Sequence, residues 1–176
     1  MILRHFKLGL FIFFSISIFS CSDDDTQVQT LSSSDIVGSW TLVEINSTPA
    51  VDLEENGNTD VNLMDQTNCF DGMSLDFDNN GNVSVVTSAI DFDSSASPSF
   101  TCSLQTNSGS YTIDQNNLTV SAQISGNQET ETLNVTVQNN TLSFTVTEGD
   151  IADFFSVPAG ESFSSITELE FVYQKD

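Results

Sequence analysis

Several stretches of this chain alternate apolar and polar side chains at every second position. Leu75 and Phe77 alternate with Ser74 and Asp76. Leu118, Val120, Ala122 and Ile124 alternate with Thr119, Ser121 and Gln123. The same holds for Leu133, Val135 and Val137, for Leu142, Phe144 and Val146, and for Leu169, Phe171 and Tyr173. A period of two gives each strand one apolar and one polar face. That suits an antiparallel sheet with a single core side. Tight turns separate the runs: Asp78-Asn79-Asn80-Gly81-Asn82, Asp114-Gln115-Asn116-Asn117 and Gln138-Asn139-Asn140. Asn and Gly accept the positive φ that short hairpins need. The pattern predicts an all-β, up-and-down meander of about eight strands, closed into a barrel so that no long edge stays exposed. Residues 149–164 break the rhythm. Ile151, Phe154 and Phe155 are spaced for a helical turn ended by Pro158, which predicts a short helical insertion near 150–160.

The start of the chain reads as an address. Residues 1–7 carry Arg4, His5 and Lys7, and residues 8–19 are almost wholly apolar. This predicts a signal peptide over 1–20, too short for a comfortable membrane span. The run ends Ile18-Phe19-Ser20-Cys21, which resembles the bacterial lipoprotein box. The resemblance implies that Cys21 is lipidated and becomes the first mature residue, with several acyl chains (palmitate among them) giving stable anchoring. Ser22-Asp23-Asp24-Asp25 looks like the Ser-plus-acidic signal that sends some Gram-negative lipoproteins to the outer face of the outer membrane. Residues 21–34 then form an acidic, Ser-rich tether, and 35–176 form one domain.

Charge narrows the chemistry. The chain has three Lys+Arg, 25 Asp+Glu and one His, a formal net charge of −22. Once 1–20 is removed, Lys175 is the only cation left and no His remains. Nucleic-acid binding through phosphate contacts is excluded, and so are a His-based triad and His-ligated zinc.

Val37-Gly38-Ser39-Trp40-Thr41-Leu42 opens the domain and resembles the Gly-x-Trp start of lipocalins. The order continues with Cys69, the Asp78 hairpin, Cys102, Gly109-Ser110-Tyr111-Thr112-Ile113, Asn116-Asn117-Leu118 and a last Phe171-Val172-Tyr173-Gln174-Lys175 strand. This order is similar to lipocalin-like lipoproteins of Gram-negative bacteria. The resemblance implies that Gly38 and Trp40 close the barrel floor and that the barrel holds a small hydrophobic ligand. The mature chain has no Arg to stack over Trp40. Cys69 and Cys102 are the thiols left once Cys21 carries lipid, and in an exported protein such a pair is expected to bond.

One loop has a metal-like spacing. Asp52, Glu54, Asn56, Asn58 and Asp60 place oxygen donors as an EF-hand does, with Gly57 at the sharp bend. Leu63 stands where the bidentate Glu belongs, and Asp65 follows two residues later. Two readings stay open: a weak calcium site, or a solvated acidic connection. A second match, Asp76-x-Asp78-x-Asn80-Gly81, reads better as a hairpin.

No phosphate loop, zinc motif or nucleophile elbow is present, so no enzymatic activity and no cofactor beyond calcium are expected. Glu44, Glu129, Glu131, Glu168 and Glu170 fall on polar strand faces. They meet solvent if the lumen is apolar and line it if the lumen is polar. Phe154, Phe155 and Phe163 are expected to cover the mouth, as plug or gate. The expected function is therefore a surface-exposed outer-membrane lipoprotein binding a small hydrophobic ligand. The alternative is a structural or adhesive surface protein with a filled barrel.

Overall fold

A computed structural model describes residues 30–53, 56–92, 100–124, 127–147, 151, 155–156 and 166–176. A short helix, α1 (Ser33–Ile36), takes the last residues of the expected tether. Ten strands follow: β1 (Gly38–Val51), β2 (Asp60–Asn62), β3 (Ser74–Phe77), β4 (Asn82–Phe92), β5 (Phe100–Asp114), β6 (Asn117–Ile124), β7 (Asn127–Gln138), β8 (Thr141–Thr147), β9 (Phe155–Ser156) and β10 (Glu168–Lys175). Neighbours run β10-β8-β7-β6-β5-β4-β3-β1, and β10 returns to pair with β1. Eight antiparallel strands thus close a lipocalin-like barrel, as the alternation predicts. Each alternating run occupies a strand, and each named turn joins two of them.

The strands β2 and β9 stand outside the barrel order. β2 pairs with the end of β1, and β9 pairs in parallel with β4. This corrects one expectation near 150–160. Phe155 lies in β9, not in a helical turn, because the backbone edge of β4 beyond its pairing with β3 accepts it. Among the described residues there, Ile151 is helical as the spacing predicts, while Phe154, Pro158 and Phe163 lie outside the described residues.

Register decides which side chains point inward. In β1, Trp40 and Leu42 face the core; a bulge at Val43 then shifts the alternation by one. Ile45 and Ser47 are therefore buried, while Val43 and Glu44 are exposed. Opposite them Leu169, Phe171 and Tyr173 of β10 are buried, and Val172 and Gln174 face outward.

Gly109 marks where the barrel wall bends. A Cβ there would lie 2.1 Å from the Ser121 carbonyl oxygen and 2.8 Å from the Ala122 Cα, so only glycine fits. β5 pairs with both β4 and β6 only at Gly109 and Ser110; residues 111–114 pair with β6 alone and residues 100–108 with β4 alone. Residues 101–106 are exposed on both faces. Their partner strand is packed there, with Ser88 and Ile90 of β4 buried opposite Leu104 and Cys102.

The crossover from β1 to β3 is held at several points. Gln66 donates to the Val51 carbonyl at 2.9 Å and accepts the Leu53 amide at 2.7 Å. Leu53, Leu63, Phe70 and Met73 are buried with the barrel residues in one core. Cys69 is disulfide-bonded to Cys102 of β5, with the Cα atoms 5.4 Å apart.

The β3–β4 hairpin depends on one carboxylate. Asp78 accepts the Asn80 and Asn82 amides at 2.7 and 2.9 Å and the Asn82 side-chain amide at 2.8 Å. Those bonds, the Asn82 side chain first, hold its pKa down at about 2. A carboxylate whose folded pKa is depressed stabilises the fold above its unfolded value and loses that stabilisation as pH falls through the folded one. Asp78→Ala is thus expected to lower the urea midpoint at neutral pH, with the gap to wild type closing from about pH 4 toward about pH 2. A gap that stays constant over that range would refute this role.

Candidate functional site: the barrel lumen

The floor is built from Trp40. It is fully buried, and its indole N–H donates to the Ile36 carbonyl at 2.6 Å. This bond ties α1 under the barrel. Lys175 Nζ lies 5.0 Å from the Trp40 ring centroid. A cation over an aromatic face is an attractive contact. The Lys175 stem runs over Gly38, where a Cβ would come within 3.0 Å of Lys175 Cε and where φ is +125°. Gly38 is thus needed twice, for its backbone conformation and for the passage of that side chain. Lys175 also reaches the Asp35 carbonyl at 3.5 Å. The Asp35 carboxylate accepts the Ser32 hydroxyl and amide, which with Lys175 nearby hold its pKa below the ordinary range.

Aromatic rings fill the space above. Phe77 meets Tyr111 edge-on at 5.0 Å, and the Tyr111 hydroxyl donates to the Asp78 carbonyl at 2.8 Å. Phe144 stacks on Phe171 at 5.2 Å and on Tyr173 at 6.0 Å. Burial pushes the Tyr173 hydroxyl well above its usual pKa.

The lumen is not packed evenly. On the wall formed by β1, β8 and β10, the inward residues Ile45, Val146 and Leu169 are buried. On the wall from β4 to β8, the inward residues Val85, Val120, Leu133 and Phe144 pack on the core but stay half-buried. Pairing places Val120 opposite both Tyr111 and Glu131, Leu133 opposite Leu118, and Phe144 opposite Val135 and Phe171. All of these share the inward face. Leu118, Ala122, Val135 and Leu142 on the same inward faces are buried, so water reaches the apolar wall only in part.

A polar rim lies above it on the same face. Val85 pairs with Asn107 and Thr87 with Gln105. Ala122 pairs with Glu129 and Val120 with Glu131, so both glutamates are on the inward face and are exposed. Glu44, Glu168 and Glu170 face outward. The polar strand positions thus divide: two acids belong to the lumen rim and three to the outer surface.

The 52–60 loop spends its oxygens on its own backbone. Asp52 accepts the Asn56 amide at 3.0 Å and the Gly57 amide at 2.5 Å, and Asn56 accepts the Asn58 amide at 2.9 Å. Asp60 accepts the Asn62 amide at 3.1 Å. Glu54 lies outside the described residues, among which no three acidic, His or Cys side chains converge on a metal position. Beside the disulfide, Met64, Asp65, Asn68, Asp71 and Phe100 border a groove of about 560 Å³. Cys21 also lies outside the described residues.

Sequence reasoning missed two features. The cation over Trp40 comes from the far end of the chain, and the search for an Arg passed over Lys175. The half-exposed inner wall has the same alternation as the filled one, so no local signal separates them.

A family model described as a lipocalin-like domain matches residues 36–144. No curated protein and no solved structure matches the chain.

Proposed function

The chain belongs to the lipocalin-like domain family, and from this we propose that it is a non-enzymatic binding protein for a small apolar or amphipathic molecule. The observation that carries this reading is the half-buried inner wall of Val85, Val120, Leu133 and Phe144, set over a filled aromatic floor. An apolar body resting there would cover surface that the barrel itself leaves wet, at roughly 25 cal/mol per Å². The rim of Thr87, Gln105, Asn107, Glu129 and Glu131 would meet a polar head.

We further propose that the domain is held on the outer membrane by lipid on Cys21, with the residues between Cys21 and the segment that enters α1 as a tether to the cell surface. The basic start, apolar run and Ser-Cys junction support this. Among the described residues no helix is long and apolar enough to cross a membrane.

The test is a titration of the purified protein with N-phenyl-1-naphthylamine, a neutral fluorescent probe. Wild type is expected to bind it. Leu133→Trp fills the wall and is expected to weaken binding at least about tenfold, roughly the worth of one well-buried side chain. Thr132→Trp, pointing outward on the same strand, is the control and should bind as wild type does. Urea midpoints near wild type for both variants would show that the fold is intact. No binding by wild type, or equal loss in both variants, would favour the structural or adhesive reading instead.

A further inference from the structure

The longest run of this sequence without a charged side chain is Ser94 to Ile113, although the chain holds 25 Asp+Glu. Most of that run is β5. Along 100–108 the strand has β4 on one side, and its pairing with β6 stops at Gly109↔Ala122. The ladder fixes which backbone groups are left over. The Tyr111 amide donates to the Gly81 carbonyl at 2.8 Å, so the backbone of Tyr111 faces β4. Successive residues of a strand turn their amides and carbonyls to opposite sides, and the β4–β5 register runs without a shift from Ser110 to Phe100. Ser103 and Gln105 therefore bond toward β4. Cys102, Leu104 and Thr106 turn amide and carbonyl to the other side, where none of the described residues pairs with them.

Proteins guard an open edge with a charge, a proline or a bulge. From Thr101 to Ser108 this edge has none of these. The upper run of β7, also exposed on both faces, has Glu129 within it. At the middle of the β5 edge stands Leu104, 53% exposed and the most exposed large hydrophobic among the described residues.

We propose that this edge docks a second copy of the same chain, β5 against β5, antiparallel about a two-fold axis at Leu104. Charge and symmetry select that occupant. Two chains that each carry a net charge of −22 repel wherever carboxylates meet, and residues 101–108 bring none to the contact. A pairing centred on Leu104 is self-complementary. Leu104 faces its own copy, Cys102 faces Thr106 of the second copy, and Thr106 faces Cys102 of the second copy. Each of these residues gives the ladder one donor and one acceptor, and the two leucine side chains cover each other. Between them Ser103 faces Gln105 of the second copy, in a pair that shares no backbone bond and so brings its side chains close. A contact of this kind uses one patch on both chains and closes as a dimer. The inference stands independently of what the lumen holds.

The experiment is sedimentation equilibrium of the purified protein from about 10 μM to about 1 mM. Wild type is expected to dimerise within that range, because a short edge with little apolar area makes a weak interface. Leu104→Lys sets two ammonium groups against each other on the axis and is expected to raise the dissociation constant at least about tenfold, although it lowers the net negative charge of each chain. Val61→Lys changes the charge equally at a similarly exposed site off this edge and should stay within about twofold of wild type. Ser103→Lys with Gln105→Glu keeps the net charge and sets opposite charges across the axis, so it should lower the constant at least about threefold. Amide exchange on wild type reads the ladder without any substitution. Cys102, Leu104 and Thr106 are expected to exchange fast in dilute protein and slowly in concentrated protein, with Ser103 and Gln105 unchanged. A wild type still monomeric at about 1 mM overturns the proposal, as does an equal effect of Leu104→Lys and Val61→Lys. Failure of the charge-paired variant to tighten the dimer overturns the register. Protection of the three edge amides in dilute protein also overturns the proposal, because the chain itself would then cover the edge.

Discussion

Replacing Trp40 by Ala is expected to cost about 3–5 kcal/mol of folding stability, the usual range for deleting a buried Trp. The reason is its position. Trp40 is fully buried at the floor, its N–H satisfies the Ile36 carbonyl, and Lys175 lies against its ring. Removing the indole leaves a cavity, unpairs that carbonyl and strips the ring from under the ammonium. α1 and the end of β10 are then held by less on their inner side. Domains of this kind are stable by only about 5–15 kcal/mol, so the loss is a large share. Trp40→Phe keeps a ring but not the N–H donor and is expected to cost less than half as much. Both are measured by urea unfolding followed by far-ultraviolet circular dichroism, because Trp40 is the only tryptophan and its fluorescence disappears with it. A loss below about 1 kcal/mol for the Ala variant would mean that the floor is not built on this residue.

Breaking the disulfide, as Cys69→Ser with Cys102→Ser, is expected to cost roughly 2–4 kcal/mol. The bridge spans a sequence separation of 33 residues and joins the β1–β3 crossover to β5. Without it, the unfolded chain regains the freedom of that loop. The folded chain loses the staple between the crossover and the part of β5 whose residues 101–106 are exposed on both faces. For a domain of this size, each kcal/mol moves the unfolding midpoint by about 2–4 °C, so a fall of roughly 5–15 °C is expected by calorimetry. Hydrogen exchange should localise the loosening to 63–73 and upper β5. A midpoint shift under about 2 °C would show that packing of Leu63, Phe70 and Met73 holds the crossover without the bridge.

Much of the barrel was legible because the strands that bury one face must alternate. β3, β6, β7, β8 and β10 each announce themselves through Leu, Val and Phe at every second position. The turns were legible for a local reason too, since Asn139 and Asn140 adopt positive φ and the Asp78 turn needs short polar side chains. The upper part of β5 was not legible. Residues 101–106 are largely polar and exposed on both faces, so no alternation marks them. β9 leaves no signal in the sequence, because a two-residue strand has no period of its own and depends on an edge offered by β4.

The sequence by itself determined the fold class, most of the strand order and the Cys69–Cys102 pair, because each rests on a local period or on scarce residue types. Only the tertiary structure decided which glutamates face the lumen, which wall stays half-exposed, and that Lys175 covers Trp40. Those follow from register and from closure of β10 on β1, which bring together residues 135 positions apart. A strand's pattern states that it has two faces. Which face is packed, and by what, is fixed by its partners.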